Sequence, residues 1–127
     1  VADPILLVED DDAFRVTVAR HLRRHAFEVI EAGSSETAAD RLRAGTRPAL
    51  VLLDVGLPGE TGWDLLRSGL VESAGSPPVV IVSALTVSPT RLREYHVAGY
   101  LPKPFPLETL VATVERLVST EGPDDLT

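Results

Sequence analysis

The chain contains no cysteine and no methionine. Without cysteine it can build neither a disulfide framework nor a thiolate zinc site. Without methionine, Val1 is not a native translation start, so the 127 residues are expected to be a piece of a longer reading frame. No basic, apolar leader opens the sequence. No apolar run approaches the roughly 20 residues that a membrane-spanning helix needs, so no membrane partner is expected and a cytoplasmic location is. A glycine-rich dinucleotide fingerprint and a phosphate-loop motif are both missing, which disfavours nucleotide binding. Positive charge is scarce: 12 basic residues face 19 acidic ones, for a net charge of -7. Such a chain repels a phosphate backbone, and no direct nucleic-acid partner is expected. Lysine is scarcest of all. Eleven of the basic residues are arginine, and the one lysine, Lys103, stands in Pro102-Lys103-Pro104. Lysine is a compact point charge where arginine is a planar fork. Taken alone, the position needs no explanation, since a single lysine must fall somewhere.

What is present is ordinary for one folded domain: 44% hydrophobic and 24% charged residues. Three short apolar runs read as strands buried on both faces. Ile5-Leu6-Leu7-Val8 ends in Glu9-Asp10-Asp11-Asp12, Ala49 to Leu53 ends in Asp54, and Val79 to Val82 ends in Ser83. Glu28 to Ala32 and Gly99-Tyr100-Leu101 add two shorter strands. Between them lie helical patterns. Phe14, Val18 and Leu22 mark the first, with Asp11 or Asp12 as its cap. Ser34 or Ser35 caps a second that stops at Gly45, and a third runs around Trp63 to Arg67. Ser88-Pro89 opens a fourth that ends near Tyr95 or His96, and Pro106 opens the last, through Val118. His21, His25 and His96 are expected on exposed helix faces. Strand and helix alternate five times, which indicates a parallel sheet with helices on both faces.

In such a sheet the strand ends share one edge, where ligands bind. Glu9, Asp10 and Asp54 should therefore converge there, with Ser83 and Lys103 beside them. Clustered carboxylates raise one another's pKa unless a cation sits among them. A hard divalent ion with oxygen ligands answers that, and Mg²⁺ fits because it needs few protein carboxylates and keeps its waters. Such a pocket suits a phosphoryl group, whose transfer demands positioning and charge neutralisation. A carboxylate can itself be the nucleophile. Asp54, which ends the most apolar strand and precedes a glycine-rich loop, is the best candidate. Singly, each of these residues has a plainer role as a cap, a loop hydroxyl or a solvated charge; their shared edge gives them weight together.

In this order the motifs resemble those of response-regulator receiver domains, the phospho-acceptor half of two-component signalling. They are Ile5-Leu6-Leu7-Val8-Glu9-Asp10-Asp11, Leu52-Leu53-Asp54-Val55-Gly56-Leu57-Pro58 with Gly62, Val82-Ser83-Ala84 and Tyr100-Leu101-Pro102-Lys103-Pro104-Phe105. The resemblance covers about residues 4 to 119. It implies a flavodoxin-like α/β fold, a doubly wound five-stranded parallel sheet of order 2-1-3-4-5. Asp54 then matches the phosphorylated aspartate. Glu9 and Asp10 match the acidic pair that holds Mg²⁺, Asp10 as the direct ligand, and Gly56 matches the residue lending the metal its backbone carbonyl. Ser83 and Lys103 match the hydroxyl and ammonium that grip the phosphoryl group. Tyr100 matches the aromatic that reports phosphorylation, and the Lys103-Pro104 bond matches one usually cis. The implied partners are a histidine kinase or phosphotransfer protein, and an output domain or downstream protein.

The chain also departs from the family. The family commonly reads Gly-Ala-Asp-Asp before the aromatic, where this chain has only Ala98-Gly99. The interval from Ser83 to Tyr100 is correspondingly short, so the helix after Ser88 or its exit loop should be trimmed. Two other functions are weighed against signalling. A phosphatase with an aspartyl nucleophile needs a second carboxylate two residues on, and Gly56 holds that position, so the chain is not expected to be an enzyme. A receiver-like interaction module that is never phosphorylated is the alternative, against which the intact acidic set, Ser83 and Lys103 argue. Residues 1–121 are expected to form the domain and 122–127 a polar tail or the start of a linker.

Overall fold

The structure, a computed structural model, describes residues 3–56, 59 and 61–119. The expected boundary at 121/122, the tail, and the Leu57-Pro58 part of the loop motif lie outside the described residues. Five parallel strands form one sheet in the order β2-β1-β3-β4-β5. They are β1 (Ile5–Val8), β2 (Val29–Ala32), β3 (Leu50–Leu53), β4 (Val79–Ser83) and β5 (Gly99–Pro102). The register aligns Leu6 with Val51, and Leu52 with Val80, so equivalent strand positions line up across the sheet.

Strand side chains alternate between faces, and the two faces carry two cores. Leu6, Val8, Val51, Leu53, Val79 and Ile81 point to one; Ile5, Leu7, Leu50, Leu52, Val80 and Val82 point to the other. Both sides are apolar because both are covered, which is why the runs in the sequence are continuous rather than alternating. Helices α1 (Asp12–Arg24) and α6 (Leu107–Ser119) cover the second face through Val18, Ala19, Leu22, Leu110, Val111 and Val114. Helices α2 (Ser35–Arg43), α3 (Gly62–Arg67) and a single turn α4 (Leu70–Ser73) cover the first. The short α5 (Pro89–Glu94) lies against that same core through Leu92, with no buried side chain of its own.

The caps follow the sequence. The Asp11 side chain accepts from the Phe14 N–H, Ser34 from Thr37 and Ser88 from Arg91. Of the two candidates for the first cap, Asp11 holds it and Asp12 is the first helical residue. Thr61 and Asp64 form a reciprocal capping box at α3. Gly45, at φ 107°, terminates α2. Helix α4 is the element that the sequence pattern does not show. Gly69 at φ 81° breaks the helix after Ser68, and one turn resumes at Leu70. His25 and His96 are exposed as expected, and His21 is half-buried.

Candidate functional site

The carboxyl ends of β1 and β3, the two central neighbours, carry the acidic residues. The Asp54 N–H donates to the Val8 carbonyl at 3.1 Å, which extends the β1–β3 ladder to Asp54. The Glu9 N–H likewise donates to the Ala32 carbonyl of β2 at 2.9 Å. Glu9 and Asp54 are thus fixed as continuations of adjacent strands, and both are buried, while Asp10 is exposed. One carboxylate oxygen from each of Glu9, Asp10 and Asp54 lies within 4.8 Å of the others. Among the described residues this is the only such group of three. The donors are all hard oxygens, and the exposed Asp10 leaves one side of the cluster to water. That combination fits Mg²⁺, which is held by few carboxylates and its own waters.

Lys103 closes the cluster. Its Nζ donates to Glu9 Oε1 at 2.7 Å and to Asp54 Oδ2 at 3.2 Å. The ammonium is placed by its backbone: the Lys103 N–H donates to the Ser83 carbonyl at 2.9 Å, and the Lys103-Pro104 bond is cis, as the resemblance implies. Its side chain passes over the Phe14 ring, with Nζ 4.5 Å from the centroid, and Phe105 packs edge-on against Phe14. Such a cation–π contact favours the charged form. Burial pushes the Lys103 ammonium down, but the hydrogen bond to Glu9 and the Asp54 charge outweigh it, and its pKa lies above the usual lysine range. For Glu9, burial raises the carboxyl above its ordinary range, against the pull of Lys103 and the Asp11 N–H.

The remaining expected residues surround this centre. Asp54 Oδ1 accepts from the Gly56 N–H at 2.8 Å. Buried Ser83 ends β4, and its Oγ accepts from the Leu85 N–H at 3.0 Å. The Leu85 carbonyl in turn accepts from the half-buried Tyr100 hydroxyl at 3.1 Å. Ser83 and Tyr100 are therefore linked through the backbone of one residue. Gly62 permits a close approach: a Cβ there would lie 2.7 Å from the Asp54 carbonyl oxygen. Two supporting residues escaped the sequence reading. Phe14 reads there only as part of an apolar helix face, yet it also floors the lysine. Arg15 reads as one of several helix charges, yet it donates to the Glu9 carbonyl at 2.9 Å and pairs with Asp12 and Glu31. Only the neighbouring strand end could have singled it out.

The chain matches the family described as response regulator receiver domain over residues 5–115. It is 40% identical over 118 residues to the transcriptional activator protein PfeR of Pseudomonas aeruginosa, covering 90% of this chain and 37% of that protein. It is 34% identical over 123 residues to the response regulator MprA of Mycolicibacterium vanbaalenii, covering 95% of this chain and 52% of that one. Among solved structures, the non-phosphorylated HemR receiver domain of Leptospira biflexa superposes with a TM-score of 0.81 at 32% identity, over 93% of this chain and 95% of that one. The chain belongs to the response regulator receiver domain family, a family of signalling proteins. It spans about half or less of the length of the curated relatives named here.

Proposed function

We propose that the chain is a phospho-acceptor: Asp54 takes a phosphoryl group from the phosphohistidine of a kinase or phosphotransfer protein, with Mg²⁺ held at Glu9, Asp10 and Asp54. The observation that carries this reading is the meeting of the three carboxylates with Lys103, two of them in direct contact with its ammonium. An Asp54 carboxylate oxygen attacks phosphorus, the N–P bond of the donor breaks, and its electron pair leaves with the imidazole. The product on the protein is an aspartyl phosphate. A bound Mg²⁺ supplies positive charge beside the carboxylates and the phosphoryl oxygens. Both oxygens of Glu9 and both of Asp54 already accept hydrogen bonds, Glu9 from Lys103 and the Asp11 N–H, Asp54 from Lys103 and the Gly56 N–H, so exposed Asp10 is the freest direct ligand. Gly56 would offer the metal its carbonyl.

The signal would leave through Ser83 and Tyr100. In the unphosphorylated arrangement Ser83 Oγ is an acceptor for Leu85, and its own hydroxyl proton is available to a phosphoryl oxygen. Turning Ser83 toward that oxygen perturbs Leu85, whose carbonyl holds the Tyr100 hydroxyl. Phosphorylation thereby biases the surface around α5, β5 and α6, which is read by an output domain or downstream protein. The alternative, a receiver-like module that is never phosphorylated, accounts for Lys103 as a partner to two buried carboxylates but not for the third, exposed carboxylate of Asp10 beside them.

The reading is tested by locating the modified residue. After treatment with phosphoramidate and Mg²⁺, borohydride reduces an aspartyl phosphate to homoserine. Tandem mass spectrometry should find homoserine at position 54 alone, and only when Mg²⁺ was present. Homoserine at another aspartate would overturn the assignment.

A further inference from the structure

A cleft lies at the end of the sheet away from Asp54, between α3–α4 and α5, with a volume of about 650 Å³. That is the size of a ligand or peptide groove. Leu66, Val71, Pro77, Val79 and the Tyr95 ring give it apolar walls. Three carboxylate- or guanidinium-bearing residues line it: Arg67, Glu72 and Glu94. Arg67 is already engaged, donating to the Tyr95 hydroxyl at 2.9 Å and pairing with Asp64. Glu72 and Glu94 are exposed, and among the described residues neither side chain has a hydrogen bond or ion pair. The unspent charge of the cleft is therefore negative.

A second observation falls on the same walls. Among the described residues three that are not glycine have positive φ: Ala26, Ser76 and His96. Two of them, Ser76 at 50° and His96 at 55°, line this cleft. His96 stands just past the last turn of α5, where the Val97 N–H returns to the Leu92 carbonyl at 3.2 Å. Glycine is the residue best suited to that position, and a side chain there is held at a cost in stability. The two side chains held in this way both fall on the cleft wall.

We propose that this cleft is a docking groove for a basic, apolar peptide segment of a partner protein. Apolar side chains of the segment would fill the space walled by Leu66, Val71, Val79 and Tyr95, and its arginine or lysine residues would meet Glu72 and Glu94. Val79 begins β4 and Ser83 ends it, so the groove and the acidic cluster are at opposite ends of that strand and docking leaves Asp54 accessible.

The test titrates isotope-labelled protein with a short peptide of alternating leucine and arginine, at moderate salt so that long-range attraction is screened. Amide shifts should change at Val71, Glu72, Ser76, Glu94 and His96, and not at Asp10, Asp11 or Ala13. A matching leucine–glutamate peptide should not bind. The double variant Glu72→Lys/Glu94→Lys should keep its folded spectrum and bind the arginine peptide roughly tenfold more weakly. His96→Gly should raise thermal stability. Ala26→Gly, at the equivalent point after α1, should raise stability and leave the peptide unaffected. No binding, equal binding by the charge-reversed variant, or shifts confined to the acidic cluster would each overturn the proposal; the last is what general attraction of a cation to an acidic protein would produce.

Discussion

Glu9 and Lys103 are held in a balance that substitution should expose. The Glu9 carboxyl titrates above its ordinary 4.5 in the folded chain because burial disfavours its charge. The folded state then holds that proton more tightly than the unfolded state does. Glu9 therefore subtracts stability as pH rises from 4.5 through the raised value, and the full penalty persists at neutral pH. Lys103 has the opposite sense: its stabilisation is whole below 10.5 and is lost only as pH rises through its raised value. Glu9→Gln should raise the metal-free stability at neutral pH by about 1 kcal/mol and flatten the dependence at mildly acid pH, measured by urea unfolding. Lys103→Met leaves two buried carboxylates, Glu9 and Asp54, with no cation and should cost about 2 kcal/mol, less than for a fully buried pair because Lys103 is partly exposed. Unchanged midpoints in both variants would show that the two groups are not coupled. Gly62→Ala places a methyl group 2.7 Å from the Asp54 carbonyl oxygen. It should cost about 1–3 kcal/mol by overpacking and slow any labelling of Asp54.

Phosphoryl lifetime also belongs to single residues. Neither Gly56 nor Leu85 has a side chain able to orient an attacking water, and Leu85 Cδ1 lies 3.1 Å from where a Cβ on Gly56 would sit. Once formed, an aspartyl phosphate should persist well beyond seconds at room temperature, and Leu85→Asn should shorten its life. Loss within seconds in the parent protein, followed by intact-mass spectrometry, would contradict this. The strand-end carboxylates, Ser83 and Lys103 were legible in the sequence because each closes or follows an apolar run. Phe14, Arg15 and Gly62 were harder to place, because their roles depend on what the folded chain brings beside them.

Among elements, α5 is the least anchored. It has six residues and no buried side chain. Besides half-buried Leu92, its hold on the body is aromatic: Tyr95, just after it, stacks on Trp63 at 5.1 Å, and Arg91 lies over the same indole at 5.1 Å. Elements with few buried contacts open first. Hydrogen exchange should be faster in Pro89–Glu94 than in β1 or β3, and Trp63→Ala should accelerate it there while leaving the strands unchanged. Equal protection in α5 and β3 would count against the description. The short interval between Ser83 and Tyr100 pointed to a trimmed helix or a trimmed exit loop here, and the helix has six residues. The strands were legible as apolar runs, and the helices as caps followed by a 3.6-residue period. The turn α4 was not, because a single turn after a left-handed glycine is too short to show a period.

For the whole molecule, alternation of strand and helix implied a parallel sheet covered on both faces, and two cores divided by strand alternation are what the fold contains. The strand order came from the family resemblance, since alternation alone leaves several orders open. Assembly is a molecular-scale consequence. The stretch before Tyr100 is Ala98-Gly99, without charge, so cross-subunit ion pairs cannot form there to set register. Activation by beryllofluoride should accordingly leave a monomer, or a dimer through a face other than that of α5, β5 and α6, by light scattering over a range of concentrations. A dimer disrupted by reversing the charges of both Arg91 and Glu94 would contradict this.

The central claim, that Asp54 accepts phosphoryl because Glu9, Asp10 and Lys103 surround it, meets its most direct test in intact-mass spectrometry. Parent protein and Asp54→Asn would be incubated side by side with acetyl phosphate and Mg²⁺. The parent should gain one phosphoryl group, lost again on alkaline hydroxylamine treatment, and the variant should gain none. Full labelling of Asp54→Asn, or no labelling of the folded parent, would contradict the account.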